Sequence, residues 1–232
     1  MAILPEVLIN DIVRLLLVFV FVTAIFIIKT RTLLSLVKLI RVQSFLIVLI
    51  AIMLYFEDQR PQLLQIIILA FFSRVVGIPY GVTRISKRLK IQRETKVDYL
   101  STTNALFLSL GIILLSYQLL SPDFSGFHEH RKAMGAVAGV SLSFIGLIII
   151  FSRNLMISDI IGYLTMENGV LLIILTVAEL PFFVEVLIII DLFIFSLLGA
   201  VFALGIDSTI EEFHRNLTLR NILSRQQSKE SK

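Results

Sequence analysis

The chain has no cysteine and no tryptophan, and only three of its 232 residues are histidine. Without thiolates there is no disulfide, no thiolate zinc site and no ordinary iron–sulfur ligation. His128, His130 and His214 all lie outside the apolar runs, which leaves a haem inside a helix bundle without ligands. His128-Glu129-His130 is a short stretch with no further ligand nearby, and it reads as a solvated loop. No nucleophile–base pair, phosphate-binding loop or metal-ligand cluster is present. Neither covalent catalysis nor a cofactor or metal is expected, and any electrons involved pass through another subunit.

Charge is scarce too: 16% of residues are charged against 57% hydrophobic, and the mean hydropathy is +0.93. The apolar residues come in runs of about 20, enough to cross a hydrocarbon core of roughly 30 Å as helix. Backbone groups in lipid must be satisfied internally, and the runs lack the two-residue alternation of a barrel, so helices are expected. The expected fold is all-α: a polytopic membrane bundle of about seven transmembrane helices, at 8–28, 33–55, 62–85, 99–120, 133–151, 155–177 and 182–206. Connections are short. Gln59-Arg60-Pro61-Gln62, Ser121-Pro122-Asp123 and Ala178-Glu179-Leu180-Pro181 punctuate the spans, because proline fixes φ and stops a helix from continuing. Ser152-Arg153-Asn154 is so tight that spans five and six must pack as antiparallel neighbours. The first span reads as a retained helix: Asp11 and Arg14 sit at its start, and Lys29 and Arg31 follow it.

Lysine and arginine set the orientation. One side receives Lys29, Arg31, the basic stretch Arg84–Lys96, Arg153 and the basic tail residues; the other receives only Arg60, Arg131 and Lys132, with Arg14 at its edge. This predicts an outside N-terminus, a cytoplasmic C-terminus and a multi-pass location in the cell membrane. Arg84–Lys96 reads as an ordinary positive-inside loop beside the lipid bilayer, not a nucleic-acid site. The organisation expected is an N-terminal three-helix half (1–98), a linking helix and external loop (99–132), a C-terminal three-helix unit (133–206) and a cytoplasmic tail (207–232). Phe71-Phe72-Ser73-Arg74-Val75 resembles Phe182-Phe183-Val184-Glu185-Val186, hinting that spans one to three echo spans five to seven. Ala136-Val137-Ala138-Gly139, Ser141 and Ser143 supply small residues for close helix packing in span five.

The informative residues are the ionisable ones within spans: Lys38 and Arg41, Arg74, Asp159 and Glu167, Glu185 and Asp191. A charge at a helix centre costs about 2.5–3.5 kcal/mol on insertion scales. Lys38 and Asp159 lie in the first turns of their spans, whereas Arg74, Glu167 and Asp191 lie near mid-span. Measured from a turn at residue 180, Glu167 and Asp191 differ in depth by only about 3 Å at 1.5 Å per residue, with Glu185 about 9 Å nearer the outside. Arg74 is also near the middle, so one layer is expected to hold a cation and two carboxylates. Desolvation raises a buried carboxylate's pKa and a neighbouring arginine lowers it, which suits such a pair to proton exchange. Arginine keeps its own proton at physiological pH, so position 74 can tune but not relay. A static salt-bridge network holding helices in register accounts for the same charges.

Arg153-Asn154-Leu155, Gly162-Tyr163-Leu164-Thr165-Met166-Glu167-Asn168-Gly169, Val184-Glu185 and Asp191 resemble the hydrogenase-4 component E family. Gln43-Ser44 and the stretch from Arg74 to Pro79 extend the resemblance upstream. These are membrane subunits of group 4 [NiFe]-hydrogenase and formate hydrogenlyase assemblies and of related complexes. The last three spans also look like the K-type subunit of complex I and the C-type subunit of Mrp antiporters. Glu167 falls about one helical turn later than the K-type glutamate, which keeps its face and changes its depth. The resemblance implies a non-catalytic subunit between a redox module and antiporter-like membrane subunits. Glu167, Asp191, Glu185 and Asp159 would then carry protons or sodium, with Arg74, Arg41 and Lys38 tuning them. A structural linker of such a complex and a stand-alone secondary transporter remain open, and Gly77-Ile78-Pro79 is the one hint of the broken helix a transporter needs.

Overall fold

Helix is the only regular secondary structure among the residues that the computed structural model describes, which are 6–59, 61–77, 79–80, 83, 100–120, 130–152 and 156–177. All of them belong to one compact unit, Met1–Leu187; a second, Ile188–Lys232, lies wholly outside them. The helices are α1 (Glu6–Lys29), α2 (Leu33–Asp58), α3 (Pro61–Ala70, running on as a π-helical segment, Phe71–Gly77), α4 (Thr102–Leu120), α5 (His130–Ser152) and α6 (Met156–Thr176). Five of them, α1, α2, α4, α5 and α6, are long and apolar enough to cross a membrane. They match the expected spans one, two, four, five and six to within a few residues. The apolar part of α3, Leu63–Gly77, is shorter. The expected seventh span, the tail and the Arg84–Lys96 stretch lie outside the described residues, as do residues 182–186, the later stretch compared in the suggested repeat.

The turn between α2 and α3 follows from its residues. Gln59 adopts φ 50°, ψ 29°, and its N–H donates to the Tyr55 carbonyl at 2.9 Å, so the last turn of α2 closes with a left-handed cap. Pro61 is then the first residue of α3, where its missing N–H costs no hydrogen bond. At the same end of the bundle Arg131 of α5 pairs with Glu57 of α2. At the opposite end the Leu100 N–H donates to the Ser152 carbonyl at 3.4 Å, joining the start of α4 to the end of α5.

Two helices organise the packing. α2 touches α1, α3 with its π segment, and α6, while α5 touches α6, α4 and α1. α4 is peripheral: Ala105, Ser109 and Ser116 face inward, and Phe107, Leu108, Leu110, Leu114 and Leu119 are exposed. An outer surface this apolar suits lipid as its solvent.

α5 and α6 form the most extensive contact, as the tight connection between them predicts. Glycines bring their backbones together. A Cβ added at Gly146 would lie 2.4 Å from the Met166 nitrogen and 2.6 Å from the Gly162 carbonyl oxygen; one added at Gly169 would lie 2.5 Å from the Gly139 oxygen. The pairs Gly146–Gly162 and Gly139–Gly169 repeat at seven residues in opposite chain directions, so one face of each helix meets the other along two turns. Gly146→Ala therefore meets backbone that no rotamer change can move aside. It should lower stability by about 1–3 kcal/mol in a thermal melt of the detergent-solubilised chain. Gly111→Ala, where nothing lies within 4 Å of the new Cβ, should cost no stability; equal losses in the two variants would remove the close contact from the account.

Candidate functional site

α6 is the most enclosed of the membrane-length helices. It meets α5 on one side and α2 on another, so the consecutive residues Glu167, Asn168 and Gly169 are all buried. The neighbour that answers Glu167 comes from α3. Pro79 lacks an N–H for the carbonyl one turn back, and its ring crowds that turn. The helix preceding it opens into the π form over Phe71–Gly77, a widening that relieves such crowding and re-aims the side chains it carries. Arg74 lies on this segment and is 4% exposed.

Arg74 Nη2 stands 3.0 Å from Glu167 Oε1, with both side chains buried. The oxygen sits close to the guanidinium but receives no directed hydrogen bond, so this contact is one of charge against charge. Arg74 Nη1 donates to Asn168 Oδ1 at 3.3 Å. Asn168 Nδ2 donates to Gln43 Oε1 at 3.1 Å, and Ser44 Oγ lies 3.2 Å from that nitrogen and 3.4 Å from Oδ1. Gln43 and Ser44 are buried on α2. The result is a buried polar cluster built from three helices. From α5, Ser143 Oγ lies 2.8 Å from the Gly139 carbonyl oxygen and 3.3 Å from that of Met166, next to the glutamate.

The expected cation–carboxylate layer is therefore present for Arg74 and Glu167. Asp191 and Glu185 lie outside the described residues. Lys38 and Arg41 correct the expectation of charges buried beside the site, because both are exposed. The buried stripe of α2 runs through Leu36, Val37, Ile40, Gln43, Ser44 and Ile47, and residues 38 and 41, three apart, share a different face of the helix. Asp159 is partly exposed in the first turn of α6, about 12 Å along the axis from Glu167. A carboxylate there complements the helix dipole, which accounts for it without a role in proton transfer. Sequence reasoning weighted charge, and so passed over Gln43, Ser44 and Asn168 as members of the site. The available signal was an amide and a hydroxyl side by side within one apolar run, and a second amide beside the glutamate.

No family model, curated protein or solved structure matches this chain. What the site can do follows from its own groups. Glu167 is the one member whose side chain type can both hold and release a proton; Arg74 supplies a fixed positive charge, and the two amides and the hydroxyl orient the pair. Among the described residues no group of three His, Asp or Glu side chains is placed to hold a metal ion.

Removing one partner strands the other as an uncompensated buried charge. Arg74→Met should cost about 3–5 kcal/mol in a detergent melt, and combining it with Glu167→Leu should recover most of the loss. A double variant no more stable than Arg74→Met would mean that the pair is not what the single substitution disturbs.

Proposed function

We propose that the chain is a non-catalytic membrane subunit of a complex I-related, energy-converting redox complex of the hydrogenase-4 or formate hydrogenlyase kind. In this reading it has seven transmembrane helices, an outside N-terminus and a cytoplasmic C-terminus in the cell membrane. It contributes part of a proton or sodium path beside antiporter-like subunits. The observation that carries the reading is the buried Arg74–Glu167 contact at 3.0 Å, ringed by Asn168, Gln43 and Ser44. Intramembrane ion pairs are expensive, and paths for ions are where membrane proteins retain them. In the proposed cycle Glu167 takes up a proton when its distance from Arg74 grows and releases it when the pair re-forms; Asp191 and Glu185 continue the path. Lys38 and Arg41, exposed on the flank of an apolar helix, suit a protein neighbour better than bare lipid.

A second reading, a structural linker in which the pair only fixes helix register, is favoured by how directly the two charges meet. Infrared titration separates the two: a relay requires a buried carboxyl that exchanges its proton within the physiological pH range, and a linker does not. Among the described residues the π segment before Pro79 is the one irregular helix, whereas a transporter site of the broken-helix type needs a matching pair.

In vesicles reconstituted with the whole complex, Glu167→Gln should abolish or strongly reduce ion pumping while leaving redox turnover of the partner module measurable. Pumping at the wild-type rate would sink the relay. Affinity purification of a tagged chain in mild detergent should bring down antiporter-like subunits and an iron–sulfur or hydrogenase-like partner; a homogeneous chain on its own would favour the transporter.

A further inference from the structure

Arginine has donors and no acceptor, and this fixes the polarity of the amides beside it. The Asn168 atom 3.3 Å from Arg74 Nη1 must be Oδ1. The other end of that amide is then Nδ2, and the Gln43 atom 3.1 Å from it must be Oε1. Flipping either amide would set donor against donor or acceptor against acceptor. Gln43 is thus left with Nε2 turned away from Asn168. Among the described residues that nitrogen meets no acceptor, although Gln43 is 0% exposed. Two more buried atoms on these helices lack a directed hydrogen bond among the described residues: Glu167 Oε1 on α6, which has the ionic contact with Arg74, and Ser73 Oγ, one residue before Arg74 on the π segment. Each of the three helices at the site contributes one unmet group.

We infer that an internal water molecule is held between α2, the π segment and α6, accepting from Gln43 Nε2, donating to Glu167 Oε1 and sharing its remaining hydrogen bond with Ser73 Oγ. Buried waters typically make about three hydrogen bonds. A metal cation does not suit the site, because Gln43 presents an N–H there and Arg74 already balances Glu167. An anion is disfavoured by the glutamate, and an apolar occupant would leave all three groups unmet. Water both accepts and donates, which is what this mixture requires.

Gln43 is then a positioning residue. One consequence rests on the relay reading above: the Gln43 and Asn168 amides and the Arg74 guanidinium cannot take a proton from Glu167, whereas the water can. The O–H bond of the carboxylic acid breaks, a lone pair of the water forms the new one, and a carboxylate and a hydronium ion result. The presence of the water does not depend on that reading.

The test is solid-state NMR on the full chain in lipid bilayers, with glutamine and asparagine side chains 15N-labelled and magnetisation transferred from water protons. The expected result is rapid transfer to the Gln43 side-chain amide, identified by loss of its peak in Gln43→Leu, and slower transfer to that of Asn168. Ser73→Ala, which removes one hydroxyl and leaves the ion pair intact, should slow the Gln43 transfer several-fold without shifting the thermal melt appreciably. Transfer to Gln43 no faster than to Asn168 overturns the proposal. So does a through-space correlation from Gln43 Nε2 to a carboxyl carbon of residues 178–232, which would identify a protein acceptor. The water signal is read on resting protein, separately from pumping: a signal with pumping insensitive to Glu167→Gln removes the relay alone, and no signal with pumping sensitive to it removes the water alone.

Discussion

A guanidinium and a carboxylate can share an interior closed to bulk solvent only while each stands in the other's field. Arg74 and Glu167 do so at 3.0 Å with almost no exposure. The requirement reaches beyond the two residues. α3 must arrive at α6 at the right height, and α2 must present side chains that satisfy what the pair leaves over. Asn168 accepts from Arg74, and Gln43 and Ser44 of α2 hold Asn168, so the relative register of three helices is tied to one ion pair. Slipping any one of them by a turn would move a polar group about 5 Å and leave it facing hydrocarbon.

The remainder of the described bundle is held by contacts of another kind. α5 and α6 approach through glycines whose backbones nearly touch, a contact that needs no polar partner and depends on the absence of side chains. Polar pairing sets position around α2, α3 and α6, and close packing sets it between α5 and α6. Glu167 belongs to both systems: the residue before it and the residue two after it, Met166 and Gly169, are among those α5 presses against.

Much of this was legible in the sequence. Runs of about the thickness of a bilayer located the helices, and the short Ser152-Arg153-Asn154 connection required α5 and α6 to be neighbours. Counting residues from a turn and placing Arg74 within its run put Glu167 and Arg74 in one layer, and the two side chains do meet. What hydropathy cannot supply is azimuth. A window average gives Lys38 and Arg41 the same depth as the buried residues around them, yet they lie on another face of α2 from Gln43 and Ser44. The π segment was only half legible, since a proline downstream announces a disturbed turn without stating how the turn will reorganise. Uncharged polar residues were undervalued because their individual cost in lipid is smaller than that of a charge, though together they orient one.

The glycine contacts carry a mechanical implication. Two backbones that interlock at intervals of two turns resist rotation and sliding together, so Glu167 is mounted on a stiff two-helix beam. Arg74 is mounted on a stretch whose hydrogen bonds have already been re-spaced. If the two charges ever part, the carboxylate is the fixed jaw and the guanidinium the moving one, and the stroke is set by how far an opened helical turn can tighten.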